Sequence, residues 1–477
     1  MTFPEYEDYD ALGLAELVRQ GAVSPAELLD AAIDRIEARD GEIGAVVIRM
    51  YDEARAAIAA GLPSGPYTGV PFALKDLSAL YAGVPTTAAS TLLTDVVPDH
   101  DSTVVARYKR AGLLILAKTK TPEFALSLTT EPVLYGPTRS PFSVTHSPGG
   151  SSGGAAAAVS AGYMPMAHAT DGGGSIRAPA SFCGLFGLKP SRGRVSPAPD
   201  FGEALAGMAT SHCVSRSVRD SAALLDISAG AEPGDPYAAP PFARALRDEV
   251  GAPPGLLRIA LCTTDFLGNP IDPECAAAAT AAAKLCESLG HHVEEARPDL
   301  TGLSIIEAWR VIPAVNLLVN VTQRARALGR EPIPSDLEPM NWAWLELGRR
   351  TGADDYLRAI STMHALARRV GSFLERYDLI LTPTLGQPSL KLGVIDTGGQ
   401  DVERYISLLF ETIAPHTALF NQTGGAAMSI PLHRTKDGLP VGVQFAGRLG
   451  DEPKLIRLAS QLEEAQPWFD ERPARNR

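Results

Sequence analysis

Two serines stand inside separate glycine-rich segments, Gly149-Gly150-Ser151-Ser152-Gly153-Gly154 and Asp171-Gly172-Gly173-Gly174-Ser175-Ile176-Arg177, and neither segment contains a histidine. Glycines at this density let backbone fold tightly and bring bare N–H groups against a ligand, which is what stabilising a carbonyl oxyanion requires. Serine hydroxyls beside such donors point to hydrolysis of an acyl bond. A base is then needed, and Lys75, far upstream in Leu74-Lys75-Asp76, is the candidate. A lone glycine-rich loop makes a turn more often than a site. Two of them, preceded by a Lys-Asp pair, reverse that expectation.

Competing chemistries can be weighed on the same residues. Gly149-x-Ser151-x-Gly153 also fits the nucleophile elbow of α/β-hydrolases, which would need an acid and a histidine downstream. His291, His292, His364, His416 and His433 all lie in the required order, so order alone does not exclude it. The second loop argues against it: an elbow enzyme has no use for Asp171 through Ser175, whereas a relay ending on lysine needs two hydroxyls and a run of N–H donors. His146 and His168 flank the loops without the partner spacing of a triad or a metal site and are read as structural. No G-x-x-x-x-G-K-[ST] phosphate cradle occurs, and no lysine has a serine three residues before it, which removes a penicillin-binding type of site.

The elements that must hold these residues are partly legible. Val70 to Leu74 and Leu113 to Ala117 read as buried strands, so Lys75 is placed at a strand end, where open α/β sheets keep their chemistry. Ser24-Pro25-Ala26-Glu27 is a capping box opening a helix that carries Leu29, Ala32, Ile33 and Ile36 on one face. Ala155 to Ala161 reads as an alanine-rich helix packed under the glycine loops. A Pro/Gly-dense connection spans Ala231 to Gly255. Beyond it, Leu257 to Cys262, Pro273 to Leu289 and His292 to Glu295 form a strand-helix-strand unit. Residues 303–376 are mostly helical, with Trp309, Trp342 and Trp344 as parts of a cover. Strands return at Leu379 to Leu381, Ala427 to Pro431 and Val441 to Ala446, and a helix over Pro453 to Glu464 ends the pattern.

The chain has 477 residues, enough for a large core, and 45% hydrophobic with 21% charged residues is the balance of a soluble folded protein. A net charge of −12 without any Lys/Arg block argues against a nucleic acid partner. Five cysteines, Cys183, Cys213, Cys262, Cys275 and Cys286, show no metal or disulfide spacing and fit a reducing cytoplasm. Met1 to Asp10 is acidic and lacks an export pattern, and Ala155 to Ala169 is too short and interrupted for a membrane span.

The two loops, followed by Gly184-x-x-Gly187-x-Lys189-Pro190, resemble the amidase signature family. The likeness extends to Gly69-Val70-Pro71-Phe72 before Lys75-Asp76, to Ala117 through Phe124, and to Asp437 through Gln444. It implies one α/β domain over 1–477, a central mixed β-sheet covered on both faces by helices, with the catalytic core at about 65–230 and 377–465 and an inserted strand-helix and helical cover region at about 256–376. It implies a Ser-cisSer-Lys triad falling on Ser175, Ser151 and Lys75, with a cis peptide bond joining Gly150 to Ser151. The N–H groups of Gly172, Gly173 and Gly174 become the oxyanion hole. Asp76, Ser152, Asp171 and Arg177 become groups that hold the loops, and Leu126, Thr129, Gly149 and Gly150 candidate substrate contacts. Neither metal nor cofactor is called for.

Two departures bear on the substrate. Gly172 replaces a larger residue common at that position and is expected to open space beside Ser175. Leu126 predicts an apolar approach to the scissile bond. Leu128 through Pro132, Tyr135 through Arg139 and the ending Ala465-Gln466-Pro467-Trp468 resemble the family branch that contains 6-aminohexanoate cyclic dimer hydrolase. The expectation is an amidohydrolase of small aliphatic, aryl or lactam-like amides, with carbamates and esters open to the same chemistry, acting as a monomer or homodimer without a membrane or nucleic acid partner. A glutamine-deamidating subunit of a tRNA-dependent amidotransferase and a catalytically silent binding protein are the competing readings.

Overall fold

Pro71–Lys75 and Leu114–Thr119 are buried at every position, the pattern of strands covered on both faces. They pair in parallel, Pro71 opposite Leu114 and Lys75 opposite Thr119. In the computed structural model, which describes residues 3–473, they belong to a mixed sheet flanked by helices; Met1 and Thr2 of the acidic N-terminal stretch lie outside the described residues. Eleven strands make up this sheet among the described residues: β1 (Val46–Arg49), β2 (Pro71–Lys75), β3 (Leu114–Thr119), β4 (Met166–Asp171), β5 (Phe186–Lys189), β6 (Thr210–Ser215), β7 (Arg258–Leu261), β8 (His292–Glu295), β9 (Leu379–Pro383), β10 (Ala427–Arg434) and β11 (Pro440–Ala446). Their order is β1-β3-β2-β4-β6-β5-β10-β11-β9-β7-β8.

One register positions the chemistry. β4 lies beside β2 in parallel, Ala73 opposite Ala167, so the carboxyl ends of both strands reach the same edge of the sheet. Lys75 therefore ends beside Thr170 and Asp171, although the sequence separates them by nearly a hundred residues. β6 runs antiparallel to β4 over its whole length, Met166 opposite Ser215 to Asp171 opposite Thr210.

The expected elements are present with small shifts of boundary. The capping box of Ser24 and Glu27 opens the helix Pro25–Ile43. The alanine-rich helix is Gly153–Ser160, beginning two residues earlier than expected. Its first turn is closely packed: a Cβ on Gly154 would lie 2.4 Å from the Lys120 backbone nitrogen, and one on Gly153 would lie 2.3 Å from the Thr130 side-chain Oγ1. Only glycine lets this helix dock so closely.

The 256–376 segment does two jobs. Its strands β7 and β8 extend the sheet from β9, and its helices Ile306–Ala327, Pro339–Arg350 and Ala353–Phe373 build the cover. The cover has its own apolar core, in which Trp344 is fully buried and Trp309 packs against the Phe410 ring, and the same cluster takes in Leu126 and Phe182. Trp342 sits on the outer side under the Arg349 guanidinium. Among the described residues no helix is long and apolar enough to cross a membrane.

Candidate active site

Lys75 closes β2 with its side chain fully buried, and three hydroxyls surround its nitrogen. Nζ lies 2.6 Å from Ser151 Oγ, 2.8 Å from Thr170 Oγ1 and 3.1 Å from Ser152 Oγ. Ser151 and Ser152 arrive from the turn that leads into Gly153–Ser160, and the Gly150–Ser151 peptide bond is cis, as the resemblance implies. Ser152 is tied to the end of β4: its hydroxyl accepts from Thr170 N–H and donates to Thr170 C=O, both at 3.2 Å. Burial pushes the Lys75 ammonium down from its ordinary 10.5 to about 7, against the opposing pull of Asp171. An amine that titrates there is neutral in half its copies near pH 7, the condition for taking a proton.

The second loop is organised by one carboxylate. Asp171 accepts from Gly174 N–H at 2.8 Å, from Ile176 N–H at 3.1 Å and from two nitrogens of Arg177. Arg177 in turn reaches Gln444 Oε1, Asn421 Oδ1 and the Thr417 carbonyl, and both charges are fully buried. Burial alone would raise the Asp171 carboxyl; Arg177 overrides it and holds the group well below the usual carboxylate range. The Gly174 N–H is thus spent inside the loop, which corrects its expected place in the oxyanion hole.

Breaking this pair has a calculable cost. Asp171→Asn leaves Arg177 buried without its counter-charge, so unfolding by denaturant is expected to show a loss of about 3–5 kcal/mol. Arg177 and Asp171 form a buried ion pair. Asp76 holds a different loop: it accepts from Thr87 N–H at 3.0 Å and from the Thr87 hydroxyl. Burial pushes its carboxyl up, and Lys118 pulls it back.

A cavity of about 260 Å³ opens over these groups, with Ser151, Thr170, Gly172 and Ser175 on its floor and Phe124, Leu126, Leu205 and Trp309 among its apolar walls. Leu126 thus stands where an apolar approach was expected. The space beside Gly172 is not free, however. A Cβ there would lie 3.0 Å from Leu205 Cδ1, so a side chain from a distant loop fills the room that the glycine leaves. Gly173 is tighter: its Cβ would lie 2.4 Å from Trp309 Cζ2. Gly173→Ala is expected to cost about 1–3 kcal/mol in a thermal melt through overpacking, with Trp309→Leu in the same chain returning part of it.

Thr129, Gly149 and Gly150 stand behind the serine loop. Thr129 is bonded to Glu131 and Ser147, the Gly149 carbonyl accepts from Thr130 Oγ1, and a Cβ on Gly150 would meet the Thr129 carbonyl at 2.7 Å. They shape the loop rather than wall the cavity. Among the described residues no group of three or more His, Cys, Asp or Glu side chains could hold a metal ion.

The Amidase family model matches residues 27–456. The chain belongs to the amidase family. It is an enzyme of amide C–N bond hydrolysis. This amidase is 38% identical to the 6-aminohexanoate-cyclic-dimer hydrolase of Paenarthrobacter ureafaciens over 97% of its own length and 96% of the relative's. It is 36% identical to a glutamyl-tRNA(Gln) amidotransferase subunit of Moorella thermoacetica, over 96% and 97% of the two chains. A solved structure of 6-aminohexanoate cyclic dimer hydrolase complexed with substrate superposes with a TM-score of 0.94 at 36% identity, covering 99% of this chain and 100% of the other.

Reading the sequence missed several residues of this amidase's site. Thr170 carries no motif of its own; its only signal is its place just before the Asp171 loop. Phe124 and Ala125 line the cavity with positive φ values of 49° and 59°, a conformation that side-chain-bearing residues rarely adopt. Leu205 and Trp309 reach the glycine loop from far along the chain. His168, read as structural, is fully buried with Nδ1 accepting the Lys75 backbone N–H at 3.3 Å. Burial and the Lys75 charge push its imidazole down to about 3, so it is neutral throughout the working range.

Proposed function

We propose that this amidase cleaves small carboxylic amides, lactam-like rings among them, through Ser175 as nucleophile, Ser151 as proton relay and Lys75 as terminal base. The observation that carries the reading is the 2.6 Å contact between Lys75 Nζ and Ser151 Oγ beneath a cavity that Ser151 and Ser175 share. Ser175 attacks the carbonyl carbon as its proton passes to Ser151 and that of Ser151 passes to Lys75. The oxyanion is held by the amides at Gly172, Gly173 and Ser175. Lys75 then returns a proton through Ser151 to the departing nitrogen, and an ester on Ser175 remains. Water repeats the sequence and frees the acid.

The substrate class follows from the walls and from the relatives. An apolar cavity of about 260 Å³ suits an uncharged amide with an aliphatic or aryl frame. The cyclic-dimer hydrolase, alike over nearly the whole chain, supports a ring amide. Carbamates and esters share the acyl chemistry. The five cysteines are free and buried, which supports a reducing compartment such as the cytoplasm. A monomer or homodimer acting on small molecules, with no nucleic acid or membrane partner, completes the reading.

The test is a panel of 6-aminohexanoate cyclic dimer, linear aliphatic and aryl amides, carbamates and esters, assayed with the purified chain alone. Turnover of the ring or of simple amides is expected. The likeness to the amidotransferase chain favours one rival, a glutamine-deamidating protein that works with partner subunits. That rival predicts glutamine-specific turnover that appears only with the partners added. Turnover of nothing, with ligand binding unchanged in Ser175→Ala, would point to a silent binding protein.

A further inference from the structure

The three hydroxyls around Lys75 Nζ differ in what they have left to offer. Ser152 Oγ receives the Thr170 N–H and gives its own hydrogen to the Thr170 carbonyl. Toward Nζ it can therefore only accept. A neutral lysine carries two N–H hydrogens and one lone pair. One hydrogen goes to Ser152; the other hydrogen and the lone pair are divided between Ser151 and Thr170. If the Thr170 hydroxyl donates to the lone pair, a lysine hydrogen faces Ser151, and Ser151 has nowhere to release its proton. If Thr170 accepts from Nζ, the lone pair faces Ser151 and the relay is open.

Thr170 decides between these states, and its side chain has a second neighbour: it borders the cavity beside Ser151 and Ser175. The geometry points to Thr170 as a positioning residue whose hydroxyl hydrogen, once taken by an acceptor oxygen of the bound amide or of the hydrolytic water, turns the Lys75 lone pair onto Ser151. Filling the cavity and aligning the base become one event. In the aligned state Ser175 oxygen bonds to the carbonyl carbon while its proton moves to Ser151, and the Ser151 proton moves to Nζ. The lysine ends as an ammonium and the carbonyl oxygen as an oxyanion. This inference rests on the proposed Ser175–Ser151–Lys75 relay.

Of the groups around Lys75, Asp171 and His168 keep their charge as it titrates, whereas Lys118 on the neighbouring strand, brought down by burial to about 8 against the pull of Asp76, titrates in the same range. Asp171 is locked with Arg177 and stays ionised, and His168 stays neutral. Lys118 is held by the Pro85 carbonyl and the Thr86 hydroxyl, so a shift of the acid limb between chains that differ only at Thr170 reports on Lys75 and its hydroxyls. Removing the Thr170 oxygen takes away an acceptor that favours the ammonium, so the limb moves to lower pH. Mere loosening of the site would admit water and move it to higher pH.

The experiment measures kcat, KM and the pH dependence of kcat/KM on 6-aminohexanoate cyclic dimer, or on the best amide of the panel, for Thr170→Val and Thr170→Ser, with Ser175→Ala in parallel. Thr170→Val is expected to lose about tenfold to a hundredfold in kcat with KM within about threefold, and to shift the acid limb downward. Thr170→Ser is expected to restore both. Should Thr170→Val not fold, Thr170→Ala carries the same expectations. A hydroxyl-free variant with the wild-type kcat and limb, beside an inactive Ser175→Ala, overturns this role and leaves the relay standing. An active Ser175→Ala overturns the relay and this role with it.

Discussion

Ser175→Ala is expected to lower kcat/KM for an amide by about four orders of magnitude or more, with no loss of stability. The size of the effect follows from the proposed chemistry: without the hydroxyl no bond to the carbonyl carbon forms, and the remaining donors and lysine stabilise nothing covalent. Stability is spared because the loop is held by other atoms. Asp171 fixes the amides of Gly174 and Ile176, and the Ser175 carbonyl, which alanine keeps, accepts the Ser152 N–H at 3.3 Å. A fluorophosphonate probe should label the wild-type chain once and this variant not at all. Ser151→Ala, by contrast, removes the relay but leaves the nucleophile, so a weak residual rate is expected. Steady-state kinetics beside a thermal melt checks all of these outcomes.

Lys75→Met is the second large change, and its two effects have opposite signs. Activity is expected to fall by at least about a thousandfold, since the proposed base, whose nitrogen contacts Ser151 Oγ, is gone. Stability at pH 7 is expected to stay level or rise. Burial lowers the folded-state value of Lys75 to about 7 from 10.5. Between those two values the unfolded chain holds a proton that the folded chain does not, so the lysine's contribution to stability improves as pH rises through that window. At and below pH 7 it is a cost, roughly 4–5 kcal/mol before the contacts to Ser151, Ser152 and Thr170 offset part of it. Methionine removes this cost and this residue's share of the slope. The wild-type kcat/KM should climb with pH to a plateau along a limb centred near 7, and denaturant melts from pH 7 to 10 should show a steeper rise in wild type than in the variant, which keeps the rise due to Lys118, Lys120 and Lys189, also lowered by burial.

Much of this site was legible because its pieces are local words in the sequence. Ser151, Ser152, Asp171, Ser175 and Arg177 sit in segments whose glycines are required by close contact, and Lys75 stood at the end of a readable strand. Their meeting was not legible from residues alone, since it depends on β2 and β4 lying parallel with Ala73 opposite Ala167. β4 itself escaped notice. Met166–Asp171 is buried at every position and built largely of small or polar residues, so it lacks the branched alternation by which strands are read. β6 was missed for a related reason: Thr210–Ser215 is polar because it borders the site. The short β1 and β5 carried too little pattern to read.

The walls of the cavity were the least readable part. Gly172 looked like an opening, but Leu205 fills it from 33 positions further along the chain, and no local pattern encodes that contact. The assignment of Gly174 to the oxyanion hole failed on similar grounds: the run of glycines was visible, whereas the capture of one amide by Asp171 is a matter of loop geometry. The cover was correctly read as helical, yet which of its tryptophans faces the cavity depended on packing. Trp309 does; Trp344 is core, and Trp342 lies outside.

The most direct test of the proposed chemistry is to find where the acyl group goes. The enzyme is quenched in acid during turnover of a slow amide or ester, cut on the amino side of Asp171 and weighed by mass spectrometry, a cut that separates Ser175 from Ser151 and Ser152. The expected result is an added mass equal to the acyl group on the fragment beginning at Asp171, located at Ser175, and absent in Ser175→Ala. An adduct on Ser151 or Ser152 instead, or full turnover by a chain that never gains mass, would contradict it.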